Sequence, residues 1–354
     1  MLMVISRIFG LLPADMAIDL GTSTTRVCVR GKGLVTEEPT VLAVKKGTCE
    51  VLNEGRGQAI GQIARDMMGR EPGSIEVIRP LRGGAIVDID MTRALLKYFI
   101  QAASGSRRWA NPRLVINAPT DISDVDKRAL QEVAERAGAR KVYLIDQPRA
   151  AGMGSFLPIH QARGHMIIDM GAGSTDISVL TLGDVVESRS VPVAGNSMDE
   201  AIISYIRKQF NILVGKTTAE KAKLHLASSR QPGAAAALEV SGQDLLANVP
   251  RSVALHPEDI WKAINPQVSQ LVDSVADMVA RLGPELSSDL IANGITLCGG
   301  GAQLSGLADR IEIETNARVY IPDNPACAVA RGLSLVLKYF DDFRPILECT
   351  EDRY

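Results

Sequence analysis

Ile18-Asp19-Leu20-Gly21-Thr22-Ser23-Thr24-Thr25, near the start of the chain, is echoed by Ile168-Asp169-Met170-Gly171-Ala172-Gly173-Ser174-Thr175-Asp176 near its middle. Each follows a short apolar run, Met16–Ile18 or His165–Ile168, and leads into another, Arg26–Val29 or Ile177–Leu180. The pattern reads as strand, aspartate, glycine, hydroxyl-rich turn, strand. Glycine lets a backbone approach a phosphate closely, and successive N–H groups in a tight turn form an anion-binding nest. The serine and threonine hydroxyls add donors. The aspartate before the glycine can hold a divalent cation directly or through water, since magnesium takes carboxylates together with waters and phosphate oxygens. One such turn alone is also an ordinary hairpin. Two copies in matching surroundings imply two related domains facing each other across a cleft, clamping a polyphosphate with Asp19 and Asp169 near the metal.

Outward from these turns, short β-rich runs alternate with helical ones. Thr92–Ala103 carries Leu95, Leu96, Phe99 and Ile100 on one helical face. Arg113–Asn117 and Lys141–Ile145 read as strands around a helix at Ser123–Ala137, and another helix starts near Pro148. After the second turn, Asp199–Phe210, Ala219–Ala227, Pro257–Leu282 and Pro325–Phe340 read as helices and Gly294–Leu297 as a strand. This alternation is that of an α/β protein.

The chain has 354 residues, 46% of them apolar, which is enough for a large core and on length favours two domains. Only 4% are aromatic, so aliphatic packing dominates. A net charge of -2 argues against a general nucleic-acid binder. Cys28, Cys49, Cys298, Cys327 and Cys349 form no Cys-x-x-Cys pair, which disfavours a zinc site and reads as free thiols in a reducing cytosol. No run reaches the roughly 20 apolar residues of a spanning helix. Met1–Leu12 is nearly all apolar, with Arg7 its one charge, and suits a segment lying in a membrane surface or packed on the body.

Rival phosphate motifs are absent. Gly215-Lys216-Thr217 resembles the end of a P-loop, but Phe210 stands where the opening glycine belongs. No Gly-x-Gly-x-x-Gly follows the first strand, which disfavours a dinucleotide fold. Gly299-Gly300-Gly301-Ala302 follows a strand and precedes a helix, a place where a flat ring can approach the backbone or where a turn simply flexes.

The order Asp19-Leu-Gly-Thr, Ile145-Asp-Gln-Pro-x-Ala-Ala, Asp169-x-Gly-x-Gly-Ser-Thr-Asp and Gly299-Gly-Gly-Ala resembles the actin/sugar-kinase/DnaK superfamily, and within it the MreB family of bacterial actin-like proteins. Similar wording recurs at Glu38-Pro-Thr-Val, Ile78-Arg-Pro-Leu-Arg-Gly-Gly, Asp199-Glu-Ala-Ile-Ile, Thr218-Ala-Glu-Lys-Ala-Lys and Val249-Pro-Arg, so the likeness runs from about Asp15 to Phe340. It implies an actin-like fold of two duplicated ribonuclease-H-like α/β domains, each with a five-stranded sheet, flanking a nucleotide cleft. The first would be residues 13–150 with a returning helix at 325–342 and an insertion at about 36–76; the second, residues 151–324 with an insertion at about 186–254. It implies ATP and Mg2+ as ligands and a slow ATPase coupled to polymerisation. Thr22, Ser23 and Thr24 would form one phosphate loop, Gly171, Gly173, Ser174 and Thr175 the other. Glu220 and Lys223 would contact the nucleoside, Gly299, Gly300, Gly301 and Ala302 its adenosine side, and Asp19 and Asp169 the magnesium.

One departure bears on catalysis. The family usually has two glutamates before Pro148, the second positioning the attacking water, and this chain has Asp146 and Gln147. Glutamine cannot act as a general base but can orient water by hydrogen bonds, and actin carries glutamine at the equivalent place. The expected catalytic group is Gln147 with Asp146 and Thr175, giving slow hydrolysis that accelerates on assembly. Gln147 also suits a simple helix cap.

The resemblance further implies homopolymeric filaments on the inner face of the cytoplasmic membrane, organising wall synthesis and cell shape with membrane proteins of the elongation machinery. Residues 1–12 would anchor the protein through Met1, Leu2, Ile5, Ile8 and Phe9. Trp109, beside Arg107 and Arg108, suits a headgroup interface with anionic lipid, or else folds back on its domain. The competing readings are a sugar or acetate kinase, for which no acid beyond Asp146 offers itself, and a filament paralogue with a task other than shape. A DnaK-type chaperone would need a further substrate domain, and an FtsA-like adaptor a C-terminal amphipathic helix where this tail is polar.

Overall fold

The strand Met16–Leu20 is buried at every position, as a strand must be when it has sheet neighbours on both sides and cover on both faces. The structure, a computed structural model, describes residues 15–54, 57–105, 111–228 and 236–349. These divide into two units, one drawn from Met1–Leu157 with Cys327–Tyr354 and the other from Pro158–Ala326.

In the first unit the sheet order is Gly33–Pro39, Thr24–Val29, Met16–Leu20, Arg113–Ala118, Lys141–Asp146, Glu348–Cys349. The first three strands form an antiparallel meander, and Arg113–Ala118 and Lys141–Asp146 continue it in parallel. The second unit repeats this scheme with Asp184–Val191, Thr175–Thr181, His165–Met170, Ile295–Cys298 and Val319–Tyr320. In each unit the strand that comes first in sequence lies at the centre and carries the aspartate of an Asp-x-Gly turn as its last residue but one.

The first unit has a sixth strand where five were expected. Glu348–Cys349 pairs antiparallel with Tyr143 and Leu144, and Lys127 Nζ holds the Glu348 carboxylate at 2.7 Å. The polar end of the chain concealed this short edge strand. The expected helix Pro325–Phe340 is likewise divided into a 3-10 turn at Pro325–Cys327, the helix Ala328–Lys338 and a short turn of helix at Phe340–Phe343. Of the two insertions, the first builds the antiparallel pair Leu42–Lys45 and Ile75–Ile78 over a small core of Val41, Ala43, Ala59 and Ala64. The second builds a three-stranded sheet, Ile212–Leu213, Leu238–Asp244 and Pro250–Leu255, whose Ile212, Val240 and Leu255 join the main core of its unit.

Two helices of the first unit touch backbone to backbone. Gln147–Gly154 carries Ala150, Ala151, Gly152 and Gly154; Ala328–Lys338 carries Ala328, Ala330 and Gly332. A Cβ added at Gly332 would run into the Ala150 carbonyl, and one at Gly154 into that of Ala328. Arg331 Nε also donates to the Gly154 carbonyl. This contact seats the helix that begins with Gln147. Gly332→Ala is expected to lower stability by about 1–3 kcal/mol or somewhat more, because the obstacle is backbone and cannot rotate aside. Urea denaturation of the variant reads this directly, and an unchanged midpoint would mean the crossing is looser.

Candidate functional site

In the first unit the turn after Asp19 is held open by side chains from elsewhere in the chain. A Cβ at Gly21 would lie 2.6 Å from the Thr24 carbonyl, so only glycine closes this turn. Thr40, fully buried, braces it twice: Oγ1 donates to the Gly21 carbonyl at 2.7 Å and its backbone N–H donates to that of Ser23 at 2.9 Å. Since the Thr40 proton is committed, the Thr25 hydroxyl, 2.8 Å away, must be the donor between the two. Thr22 Oγ1 accepts the Gly84 N–H at 3.1 Å, which leaves its proton for another partner. Gly84 has φ +79 and no space for a Cβ against Pro119, which gives the Gly83-Gly84 pair a physical reason.

Asp19 is buried and lies opposite Arg26 in the sheet register, with Arg26 Nη1 3.5 Å from its Oδ2. Arg26 reaches Glu37 more closely, at 2.8 Å. Burial pushes the Asp19 carboxyl up to about 6, and Arg26 only partly opposes this. Asn117 accepts the Leu20 N–H at 2.9 Å and donates to Gln147 Oε1 at 3.0 Å. Asp146 is engaged by Arg149 Nε at 3.3 Å. The first unit therefore gathers Asp19, Thr22, Ser23, Thr24, Asp146 and Gln147 around the ends of adjacent strands.

In the second unit the turn is closed by the Gly171 N–H on the Ser174 carbonyl at 3.0 Å. The helix Gly195–Phe210 starts against it, with Gly195 N–H on the Gly171 carbonyl and Asn196 N–H on that of Ala172. A helix start beside a glycine turn concentrates N–H groups and positive dipole, the arrangement that binds phosphate. Lys223 Nζ reaches Asp199 Oδ1 at 2.7 Å and the Gly195 carbonyl at 2.8 Å, tying the helix Lys216–Ser228, and with it half-buried Glu220, to this turn. The Thr175 hydroxyl points inward, donating to the Val193 carbonyl at 2.5 Å, so it braces the turn. Gly299, φ +81, lies over the strand end: a Cβ there would meet Asp169 Oδ1 at 2.5 Å. One at Gly301 would strike the Met170 side chain, and Ala302 is buried. Asp169, Gly171, Gly173, Ser174, Lys223, Gly299, Gly300 and Gly301 thus share one end of this sheet.

Several residues here escaped the sequence reading. Asp176, buried, lies directly across from Asp169 in the register. Thr40, Asn117, Gly84 and Asp199 act from a distance in sequence; the Glu38-Pro-Thr-Val, Arg82-Gly-Gly and Asp199-Glu-Ala-Ile-Ile wording was the available sign for three of them. Met1, Leu2, Ile5, Ile8, Phe9 and Trp109 lie outside the described residues. Among the described residues no helix is long and apolar enough to cross a membrane.

Among the described residues no cluster of three or more His, Cys, Asp or Glu could hold a metal. The donor set fits magnesium, which takes one or two carboxylates and completes its shell with water and phosphate oxygens. Asp19 has the chemistry for this, being a buried carboxylate whose charge its protein neighbours compensate only in part.

The sequence profile of the MreB/Mbl protein family matches residues 13–345. The cell shape-determining protein Mbl of Bacillus cereus is 38% identical over 327 residues, covering 92% of this chain and 96% of that protein. The cell shape-determining protein MreB of Escherichia coli K12 is 36% identical over 339 residues, covering 96% and 97%. Among solved structures, MreB5 of Spiroplasma citri bound to AMPPNP superposes with TM-score 0.85 at 29% identity, over 94% of this chain and 98% of the other. The MamK double helical filament, at 21% identity and TM-score 0.76, shares the fold over 91% and 98%. Fold and turns together define an actin-like protein. The chain belongs to the MreB/Mbl family.

The buried Asp19 makes a prediction. Its folded-state carboxyl titrates near 6 against an ordinary 3.8, so its contribution to stability is full below the lower value and is lost as pH rises through the upper. At about pH 8 the deficit is roughly 3 kcal/mol, before screening and relaxation reduce it. Asp19→Asn is expected to melt higher than the parent at about pH 8 without nucleotide, with the gap closing towards about pH 4. Thermal denaturation across pH checks this; a parent protein that melts higher at alkaline pH would contradict it.

Proposed function

We propose that this chain is an ATP-binding, ATP-hydrolysing actin-like protein that polymerises into filaments serving cell shape. The observation that carries the reading is the repeated Asp-x-Gly turn, placed in each unit at the end of the buried central strand of the same sheet scheme. The relatives support it. Mbl and MreB are named cell shape-determining proteins, MreB5 was solved with a nucleotide analogue, and MamK was solved as a filament.

In this reading the phosphate tail takes backbone N–H and hydroxyl donors from Thr22, Ser23 and Thr24 and from Gly171, Gly173 and Ser174. The start of the helix Gly195–Phe210 adds its dipole. Lys223 stiffens the second turn and, with Glu220, lines the nucleoside side. Gly299 to Ala302 let the base lie against backbone. Asp19 and Asp169 would hold magnesium through its waters, and such an ion would supply positive charge to offset that of the phosphates. Asp146 is engaged by Arg149, which leaves Gln147 to orient the attacking water without accepting its proton.

Gln147→Glu supplies a proton acceptor at that position and is expected to speed hydrolysis by roughly tenfold or more, with an acid limb in the pH profile. Phosphate release at saturating Mg-ATP measures this. An unchanged or lower rate would remove Gln147 from the water's neighbourhood.

Subunits stacking head to tail make a contact that does not close, and so a filament. The Met1–Leu12 segment and Trp109 hold these filaments on the inner face of the cytoplasmic membrane, where elongation-machinery membrane proteins are the partners. Pelleting with Mg-ATP is expected to be retained, and liposome co-sedimentation lost, in a chain lacking residues 1–12 and in Trp109→Ala. Monomers at every concentration, with and without lipid, would overturn the filament reading.

A further inference from the structure

A row of alternating charge crosses the sheet of the first unit, on three neighbouring strands. Asp19 lies opposite Arg26, and Arg26 opposite Glu37. Residues directly opposite in antiparallel strands share a face, and side chains alternate along a strand. Asp19, Thr24 and Arg26 therefore belong to one face of the hairpin. Leu20 and Thr25 belong to the other, where Thr25 meets Thr40. Arg26 is the cation of this row, and its side chain is 13% exposed.

The guanidinium is held unevenly. Nε and Nη2 both turn to one oxygen of Glu37, at 3.0 and 2.8 Å. The Glu37 side chain is 47% exposed, so water screens its hold. Nη1 lies 3.5 Å from Asp19 Oδ2, beyond the length of a strong N–H···O bond. A guanidinium carries several N–H donors in a planar fork, and the fork matches phosphate oxygens in pairs. Arg26 thus brings positive charge, and donors that its carboxylate neighbours use only in part, to the face that carries Asp19 and Thr24.

We propose that Arg26 binds the phosphate tail of the nucleotide directly and gives the site a grip on phosphate that needs no metal ion. This rests on the reading of the turn after Asp19 as a phosphate loop. Two residues along a strand span about 7 Å, so a tail held at Thr24 lies within reach of an arginine side chain at position 26. A tail of several negative charges draws the guanidinium from a solvated carboxylate. Beside a magnesium ion at Asp19, like charge pushes the guanidinium back, so Arg26 contributes most when metal is absent.

The test is calorimetric titration with AMPPNP and with adenosine, each in magnesium and in EDTA, for the parent, Arg26→Gln, Arg26→Lys and Glu37→Gln. In EDTA, Arg26→Gln is expected to weaken AMPPNP binding about ten- to a hundredfold, the worth of a charge-assisted hydrogen bond, and to leave adenosine binding unchanged. The loss is expected to be smaller in magnesium. Arg26→Lys restores the charge without the fork and is expected to recover part of the affinity. Equal AMPPNP affinity of the parent and Arg26→Gln in EDTA, or an equal loss for AMPPNP and adenosine, would confine Arg26 to a structural role and overturn the proposal. A parent that binds AMPPNP only with magnesium overturns it too. A parent that binds AMPPNP in neither condition overturns the nucleotide reading itself. Should Arg26→Gln not fold, Glu37→Gln keeps Arg26 in place and loosens its competing partner. That variant is expected to tighten AMPPNP binding in EDTA roughly two- to fivefold, and no tightening overturns the proposal.

Discussion

A carboxylate at the buried end of an apolar strand is the constraint on which the rest of each unit depends. Removing a charge from water is costly unless it is paired or coordinated, and each of these strands carries near its end an aspartate that is nearly inaccessible. In the first unit the register sets Arg26 opposite Asp19, but that guanidinium is shared with Glu37, and burial still raises the carboxyl to about 6. In the second unit the register sets another carboxylate, Asp176, opposite Asp169. A buried carboxylate whose charge its neighbours oppose only in part, as at Asp19, is where a cation has the most to contribute.

The two turns meet that constraint with different supports. The first leans on a hydroxyl ladder, Thr25 to Thr40 to the Gly21 carbonyl, and on the Gly84 wedge beneath Thr22. The second leans on a helix start, with Lys223 bridging Asp199 and the Gly195 carbonyl. What they share is a glycine set against the turn's own carbonyl, Gly21 against Thr24 and Gly171 against Ser174. The glycine-packed crossing of Gln147–Gly154 with Ala328–Lys338 extends the same logic to the helix that begins with Gln147, whose Oε1 accepts from Asn117.

Much of this was legible in the chain itself. The paired Asp-Gly turns, the strands leading into them and the helix Ile89–Ser104 follow from local composition and periodicity, because glycine, aspartate and apolar spacing each have a local physical meaning. The strands Gly33–Pro39 and Asp184–Val191 were not read, since their mixed polar faces reflect an edge position that exists only once the sheet forms. Glu348–Cys349 escaped for the same reason. Asn117 and Thr40 look unremarkable in sequence, and Asp176 closes the second motif without a role being legible there. Their importance comes from register: Ala118 opposite Asp146, Thr24 opposite Pro39, Asp169 opposite Asp176. Thr175, whose motif points to ligand, donates its hydroxyl proton to the Val193 carbonyl, a contact visible only in the folded chain.

The central claim of the proposed function is that each strand-end turn takes part in binding nucleotide. Hydrogen–deuterium exchange with and without Mg-AMPPNP tests it most directly, because the slowing of backbone N–H exchange reports where ligand binds without requiring turnover. The account predicts concurrent protection at residues 19–25, 169–176 and 299–302, saturating at one nucleotide concentration. Protection confined to one of the two units, or arising elsewhere while both turns stay unchanged, would contradict it.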